Sequence, residues 1–329
     1  MREVIVAPMA GGPSTVALVA GAARAGALGF LAAGYKTPDA VAAELRQVDA
    51  IPHGLNIFVP MPAPADPAPL AAYRLSLRGE ADRYGVDLPP LRTEDDDHFA
   101  AKVELAARFR VPVVSFTFGV PDPGIVERLH DAGSTVLITV TSAAEARAAL
   151  AVEPDGLIAQ AGAAGGHAST TDPAGYAGTS TALEALAAVR AVTEGLPVIA
   201  AGGVGTAGDV HGLLEAGAAA VQCGTAFLLA DEAGTRPAQR AAMLSGEFTE
   251  TVVTRAFTGQ PARGLRNRFI DEHDAAAPIG YPAVHHLTAP IRAAAAAKGD
   301  PGALNLWAGT GFRHARPGPV ADLIARLSA

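Results

Sequence analysis

The sequence predicts an α/β protein, specifically a TIM (β/α)8 barrel, because short apolar runs alternate with alanine-rich helical stretches through about the first 230 residues. These runs lack polar–apolar alternation, as expected for parallel strands that are buried on both faces. Eight runs are candidate strands: Val4–Ala7, Leu28–Ala32, Gly54–Val59, Pro112–Phe118, Val136–Val140, Gly156–Gln160, Pro197–Ala201 and Ala219–Cys223. The number favours a closed barrel, although counting alone leaves a doubly wound sheet open.

Local signals place helices between these strands. The segment Ser142–Glu145 is a capping box, and Thr206–Asp209 is a looser version of one. Pro123 suits the first turn of a helix, and Ser14 is expected to cap the first helix. Glycines 26, 133, 195 and 217 stand where helices should end.

Two segments depart from this alternation. Residues 60–94 are rich in proline, with a helical stretch at 70–84, and are expected to insert after the third strand. After Gly246 the strand rhythm stops. We therefore predict a barrel over residues 1–246 and a mostly helical appendage over 247–329, which covers the barrel mouth or packs on its side.

Bulk properties exclude some classes of protein. A net charge of −8 with no basic stripe argues against nucleic acid as the main partner. The one cysteine, Cys223, lies in an apolar run, so we expect a buried thiol and a reducing cytoplasm. The uncharged N-terminal stretch resembles a signal peptide, but its prolines and glycines favour a strand, a loop and a helix. No membrane segment is expected, and a homodimer is one possible assembly.

Glycines mark the ends of the last two candidate strands. In TIM barrels, phosphates commonly lie at the loops after strands seven and eight. Here Gly202 and Gly203 follow the seventh run, and Gly224 and Thr225 follow the eighth. A helix starting near Thr206 would direct its positive end toward an anion there. The pattern predicts a phosphate site, with simple tight turns as the alternative.

Other strand ends carry groups suited to a flat heterocycle. Ala7, Pro8 and Met9 end the first strand, where proline fixes the chain so that the backbone can lie along a ring edge. Asn56 and Gln160 are amides in apolar strands, and a flavin's pyrimidine edge would supply the partners that buried amides need. A plain turn and hydrogen bonding within the barrel are the alternatives.

His167 is the candidate catalytic residue. It follows Gly165 and Gly166 in the loop after the sixth strand, beside the predicted phosphate site. An imidazole there can move protons near neutral pH. The remaining histidines lack this setting and are expected to be structural: 53, 98, 130, 211, 273, 285, 286 and 314. Because His285 and His286 have no third ligand at metal spacing, no metal site is predicted.

Several of these segments resemble the nitronate monooxygenase family, once called 2-nitropropane dioxygenases. The similar segments are Ala7–Gly12, Ala164–His167, Ala200–Val204, Val221–Thr225 and the tail Trp307–Gly309. The resemblance runs from Val4 to the C-terminus. It implies an FMN-dependent barrel, with the flavin ring over the first strand end near Gln160 and the phosphate held by Gly203, Gly224 and Thr225.

The resemblance also implies a reaction. His167 matches the family's catalytic histidine, which takes the α-proton of a nitroalkane or positions the nitronate anion. The flavin then accepts an electron, and O₂ completes oxidation to a carbonyl compound and nitrite. Where the family often has arginine and glycine after the histidine, this chain has Ala168 and Ser169, and Thr310 replaces a glutamine. We expect both departures near the substrate, where they would affect substrate range.

Other flavin barrels are alternatives. FMN-dependent NAD(P)H reductases, acting on enoyl-acyl-carrier-protein or quinones, share the glycine–histidine loop but need a nicotinamide nucleotide, and the sequence has no separate dinucleotide motif. An inosine monophosphate dehydrogenase-like barrel needs a loop cysteine, which this loop lacks. A non-catalytic flavin-binding barrel would have no need of His167.

Overall fold

The computed structural model describes residues 3–63 and 66–329. Met1 and Arg2, in the predicted barrel, and Pro64 and Ala65, in the predicted insertion, lie outside the described residues. The strands are β1 (Val4–Val6), β2 (Leu28–Ala32), β3 (His53–Phe58), β4 (Val113–Thr117), β5 (Thr135–Val140), β6 (Gly156–Gln160), β7 (Gly166–His167), β8 (Val198–Ala201), β9 (Ala220–Cys223), β10 (Thr251–Thr254) and β11 (Ala262–Leu265). The α-helices are α1 (Val16–Arg24), α2 (Pro38–Val48), α3 (Ala68–Ser76), α4 (Arg78–Tyr84), α5 (Phe99–Arg108), α6 (Pro123–Asp131), α7 (Ala143–Leu150), α8 (Ala182–Arg190), α9 (Ala207–Glu215), α10 (Pro237–Ser245), α11 (Arg268–His273), α12 (Ala283–Ala297) and α13 (Val320–Leu327).

Eight parallel strands close into a barrel in the order β1-β2-β3-β4-β5-β6-β8-β9. Closure is made by β9 against β1, with Val4 opposite Val221. All eight predicted strands are present, which confirms the TIM barrel. Apolar side chains such as Ile5, Phe30 and Ile158 fill the interior, and a larger apolar layer lies between the strands and the surrounding helices.

Most predicted helix boundaries agree with the structure. Thr206 and Asp209 form a complete capping box, and Pro123 opens α6. The prediction for Ser14 is wrong, because Thr15 accepts from the Leu18 N–H whereas the Ser14 hydroxyl accepts from the Met9 N–H. Glycines 26, 133, 195 and 217 all have positive φ, which ordinary residues rarely adopt.

The proline-rich insertion forms two helices, α3 and α4, where one helical stretch was expected. They contribute to a second apolar core that they share with the C-terminal segment, including Leu70, Tyr73, Phe257 and Leu287. The Tyr73 hydroxyl donates to the Ala256 carbonyl at 2.6 Å. The insertion and the C-terminal segment therefore pack together rather than separately.

The C-terminal segment is mostly helical, as predicted, but it also supplies β10 and β11. These strands form an antiparallel sheet with the two-residue β7, which carries His167. The last helix, α13, packs against α1 and α9 in the barrel's helical layer. The division at Gly246 stays a prediction, and α13 belongs by packing with the barrel helices. Within the described ranges, no helix has the length and apolarity that crossing a membrane requires.

Candidate active site

A cavity of about 420 Å³ opens at the carboxyl ends of the barrel strands. Parallel strands present these ends at one face, so loops distant in sequence meet there. Every residue predicted for the site lines this cavity: Ala7, Pro8, Met9, Asn56, Gln160, Gly165, Gly166, His167, Gly202, Gly203, Gly224 and Thr225. Their roles toward a ligand stay predictions.

Three glycines allow the loops around the cavity to approach one another. Gly202 has φ +112° and Gly203 has φ +75°. A methyl group added at Gly202 would lie 2.9 Å from the Ala164 nitrogen, and one at Gly165 would lie 2.4 Å from the Gly309 nitrogen. Because those neighbours are backbone atoms, they cannot move aside cheaply. Glycine is therefore required here for both conformation and space.

The amino end of α9 is capped by its own side chains. The Asp209 carboxylate accepts from the backbone N–H groups of Gly205 and Thr206, at 3.0 and 2.9 Å. Asp209 therefore takes two backbone donors just before α9, and the anion-binding role predicted for this helix end stays a prediction. Thr225 is also engaged, since its hydroxyl oxygen accepts from the Gly309 N–H at 2.9 Å.

The two predicted amides play different parts. The Asn56 Oδ1 accepts from Ser115 and Thr117 hydroxyls at 2.8 and 3.0 Å, which directs its amide nitrogen away from those partners. Gln160 instead donates to the His167 carbonyl at 3.0 Å and accepts from the Ser169 N–H at 2.7 Å. Gln160 therefore lines the cavity and also fixes the histidine loop.

A third amide, Gln222, was missed in the sequence. It lies on β9, lines the cavity and is 8% exposed. Its Oε1 is buried without a hydrogen-bond partner in the described part of the chain. The signal that identified Asn56 and Gln160, an amide in an apolar strand, applies equally to Gln222.

His167 stands among aromatic rings at the cavity wall. Its ring centroid lies 5.6 Å from Phe118, 5.8 Å from Tyr281 and 5.5 Å from Trp307. Its Nε2 is 2.9 Å from the Thr258 hydroxyl oxygen. Burial, reinforced by the nearby Arg292 charge, lowers the pKa of His167 to about 3. The imidazole is therefore neutral at physiological pH.

The cavity carries positive charge that no sequence pattern indicated. The polar lining residues outside the predicted set include Tyr35, Gln222, Arg236, Gln239, Thr258, His285, Arg292 and Asn305. No Asp or Glu among the described residues lines the cavity, whereas two arginines do. His285, expected to be structural, thus belongs to the cavity wall.

The residues that depart from the family pattern do not line the cavity. Ala168 and Ser169 are buried behind the cavity, where the Ser169 hydroxyl donates to the Thr139 carbonyl and accepts from the Phe118 N–H. Thr310 lies beside Gly203, at the glycine-lined end rather than beside His167. Cys223 also lines the cavity, and burial raises the pKa of its thiol to about 12, so it is not a nucleophile at neutral pH.

Buried histidines predict a pH dependence of stability. The pKa values of His53, His167, His273 and His285 are all lowered, in each case chiefly by burial. Their contribution is complete above the unfolded-state pKa of about 6.5 and is lost as the pH falls toward the folded-state values. We expect the urea midpoint to fall between pH 7.5 and pH 5. A urea midpoint that stays constant over this range would contradict the assignment of the pH dependence to these four histidines. As a control, His211 is exposed, so His211→Gln should show the same dependence of the urea midpoint on pH as the wild type.

The whole chain is similar to one family of known proteins. A family model described as nitronate monooxygenase matches residues 1–329. A probable nitronate monooxygenase of Staphylococcus saprophyticus is 33% identical over 318 residues, covering 93% of this chain and 88% of that protein. A probable nitronate monooxygenase of Staphylococcus aureus strain JH9 is 32% identical over 335 residues, covering 98% of this chain and 92% of that protein.

Solved structures show the same relationship. The nitroalkane oxidase from Streptomyces ansochromogenes superimposes with a TM-score of 0.95 at 44% identity, over 99% of this chain and 94% of that one. FabK from Thermotoga maritima shares the fold, with a TM-score of 0.75 at 24% identity, over 99% of this chain and 91% of that one. The full-length match to the family model and the extent of these identities lead to one conclusion: the chain belongs to the nitronate monooxygenase family.

Proposed function

We propose that this protein is an FMN-dependent nitronate monooxygenase, which oxidises alkyl nitronates and nitroalkanes with O₂ to carbonyl compounds and nitrite. The observation that carries the proposal is His167, a neutral imidazole at the wall of a cavity that also contains a glycine-lined end. Membership of a flavoenzyme family and 44% identity to a nitroalkane oxidase support it. The partners it requires are small molecules, and a cytoplasmic location and a homodimer stay predictions.

The residues present fit an FMN. The glycines at 165, 202 and 203 stand where side chains would collide with neighbouring loops, so the backbone itself lines that end of the cavity. Asn56 offers an amide donor, and Gln222 has a buried amide oxygen without a partner in the described segments. A heterocycle edge that both donates and accepts matches this pair.

We infer which residues would hold the group. The ring would lie along Ala7, Pro8 and Met9 near Asn56 and Gln160. The phosphate end would take the glycine-lined loops: Gly165, Gly166, Gly202, Gly203, Gly224 and Thr225. When bound, the flavin supplies the electron acceptor and the reactivity toward O₂, which no side chain provides.

His167 supplies proton transfer. The Thr258 hydroxyl donates to the Gln260 carbonyl at 3.2 Å, so its oxygen is left to accept from the Nε2–H of His167. In this arrangement Nδ1 is unprotonated and can take the α-proton of a neutral nitroalkane. Transfer between neutral partners creates an imidazolium and a nitronate together, so no net charge enters the cavity. A preformed nitronate needs no such step.

A spectroscopic experiment tests the proposal. The purified protein is expected to show an oxidised-flavin spectrum that bleaches anaerobically on adding ethyl nitronate. NADH and NADPH are added in separate samples as the control for a reductase. Bleaching by NAD(P)H but not by nitronate would contradict the monooxygenase assignment, and absence of bound flavin after reconstitution with FMN would contradict any flavoenzyme.

A further inference from the structure

We propose that Arg292 is an anion-binding residue that holds the two oxygens of the substrate's nitronate group on the side of the cavity where His167 lies. The identity of the anion rests on the proposed function; the existence of the site does not. Arg292 lies on α12, lines the cavity and is only 5% exposed.

The guanidinium is held by uncharged groups. Its Nε donates to the Thr288 hydroxyl at 3.1 Å, and its Nη2 donates to the His285 carbonyl at 2.8 Å. Nη2 also lies 3.3 Å from Nδ1 of His285. Because a guanidinium has no acceptor, Nδ1 must accept, which keeps His285 neutral with its proton on Nε2. These bonds fix the orientation of Arg292 without neutralising it.

The charge of Arg292 has no counterion within the described residues. Burial lowers its pKa to about 10, so it remains protonated at neutral pH. No carboxylate forms an ion pair with it, and the described lining of the cavity contains no acid. The Tyr35 hydroxyl raises the pKa of Arg292, and a second cation, Arg236, lowers it. A buried charge without a partner is costly, so the missing partner is expected to arrive with the ligand.

Two observations assign this anion to the substrate. Arg292 contacts His285, whose ring centroid lies 6.3 Å from that of Tyr281, and the Tyr281 ring lies 5.8 Å from that of His167, so Arg292 and His167 lie along the same part of the cavity wall. Its Nη1 has no acceptor among the residues that the structure describes and is free to donate. A planar guanidinium edge matches a planar group with two oxygens, as a nitronate has. The site should therefore prefer the nitronate over the neutral nitroalkane.

The test measures binding separately from turnover in the FMN-loaded protein. Nitrite, a planar anion with two oxygens, is titrated against the flavin spectrum, and ethyl nitronate is used in anaerobic stopped-flow bleaching. In Arg292→Met, the Kd of nitrite and the half-saturating nitronate concentration are expected to rise about 30-fold or more, as for other buried charge partners. Half-saturation by neutral nitroethane should change by less than about 3-fold. In Arg292→Lys, which keeps the charge, the Kd of nitrite and the half-saturating nitronate concentration should rise about 10-fold or less.

Arg240→Met is the matched control. Arg240 is half-buried, donates to backbone carbonyls of residues 228–230 and does not line the cavity. In this variant the Kd of nitrite and the half-saturating nitronate concentration should therefore keep their wild-type values. Unchanged nitrite and nitronate constants in Arg292→Met would overturn the proposal. If that variant does not fold, Arg292→Gln decides by the same criterion. Nitrite binding that depends on Arg292 in a protein inactive on nitronates would refute the proposed function and leave the anion site standing.

Discussion

Replacing His167 by asparagine is expected to lower kcat/KM for a neutral nitroalkane by about 10²–10⁴-fold, the usual contribution of a general base. Asparagine keeps a polar side chain but cannot accept the α-proton. FMN should remain bound, because the glycine-lined loops are unchanged. The loss for a preformed nitronate should be much smaller, since that substrate has already lost its proton. Steady-state kinetics with nitroethane and with ethyl nitronate measure the two effects.

The comparison between substrates makes this result specific. If His167 had only a structural role, its replacement by asparagine would reduce turnover of nitroethane and of ethyl nitronate alike. Unchanged turnover of nitroethane in this variant would exclude proton transfer by His167. His211→Asn is the control, because His211 is exposed on α9 outside the cavity. With a pKa of about 3, His167 stays neutral from pH 5 to pH 9. Wild-type turnover of nitronate should therefore show no inflection from this residue across that range.

Replacing Gly202 by alanine is expected to remove most of the bound FMN and to destabilise the fold. The φ of +112° is unfavourable for alanine, at a cost of about 1–3 kcal/mol. The added methyl group would lie 2.9 Å from the Ala164 nitrogen, and overpacking of this kind costs a further ~1–3 kcal/mol. Flavin content, from the ratio of visible to ultraviolet absorbance, and the Tm measure the two consequences.

Gly212→Ala is the matched control for Gly202. Gly212 lies inside α9 with no atom within 4 Å of an added methyl group. Alanine is the better helix former there, so the variant should be more stable by about 0.5–1 kcal/mol and keep its flavin. Wild-type flavin content and Tm in Gly202→Ala would show that the loop can relax, and would contradict the role given to this glycine.

Much of the architecture could be predicted because it depends on local patterns. Buried parallel strands leave continuous apolar runs, and all eight were found. Glycines at strand ends and the loop histidine identified the residues around the cavity, because a TIM barrel brings the carboxyl ends of all its strands to one face. Even Gln222 could have been found by the rule that identified Asn56.

Contacts between distant segments could not be predicted in the same way. Thr258 lies 91 residues from His167, and the sheet formed by β7, β10 and β11 joins them through pairings that leave no periodic signal. The Asp209 carboxylate takes the backbone N–H groups of Gly205 and Thr206 just before α9, which the residue types alone did not indicate. Side-chain competition of this kind depends on atomic positions rather than on residue types.

The barrel, the glycine-lined strand ends and the histidine beside them could be predicted from local sequence, since each follows from the conformational preferences of neighbouring residues. The charge distribution of the cavity depends on contacts between distant segments that exist only in the folded chain. Arg292 is an ordinary helical residue in the sequence, and its significance comes from its burial without an acid beside it. Burial and charge pairing are properties of the whole packed chain. For this reason the cation expected to bind the substrate could not be identified from sequence patterns.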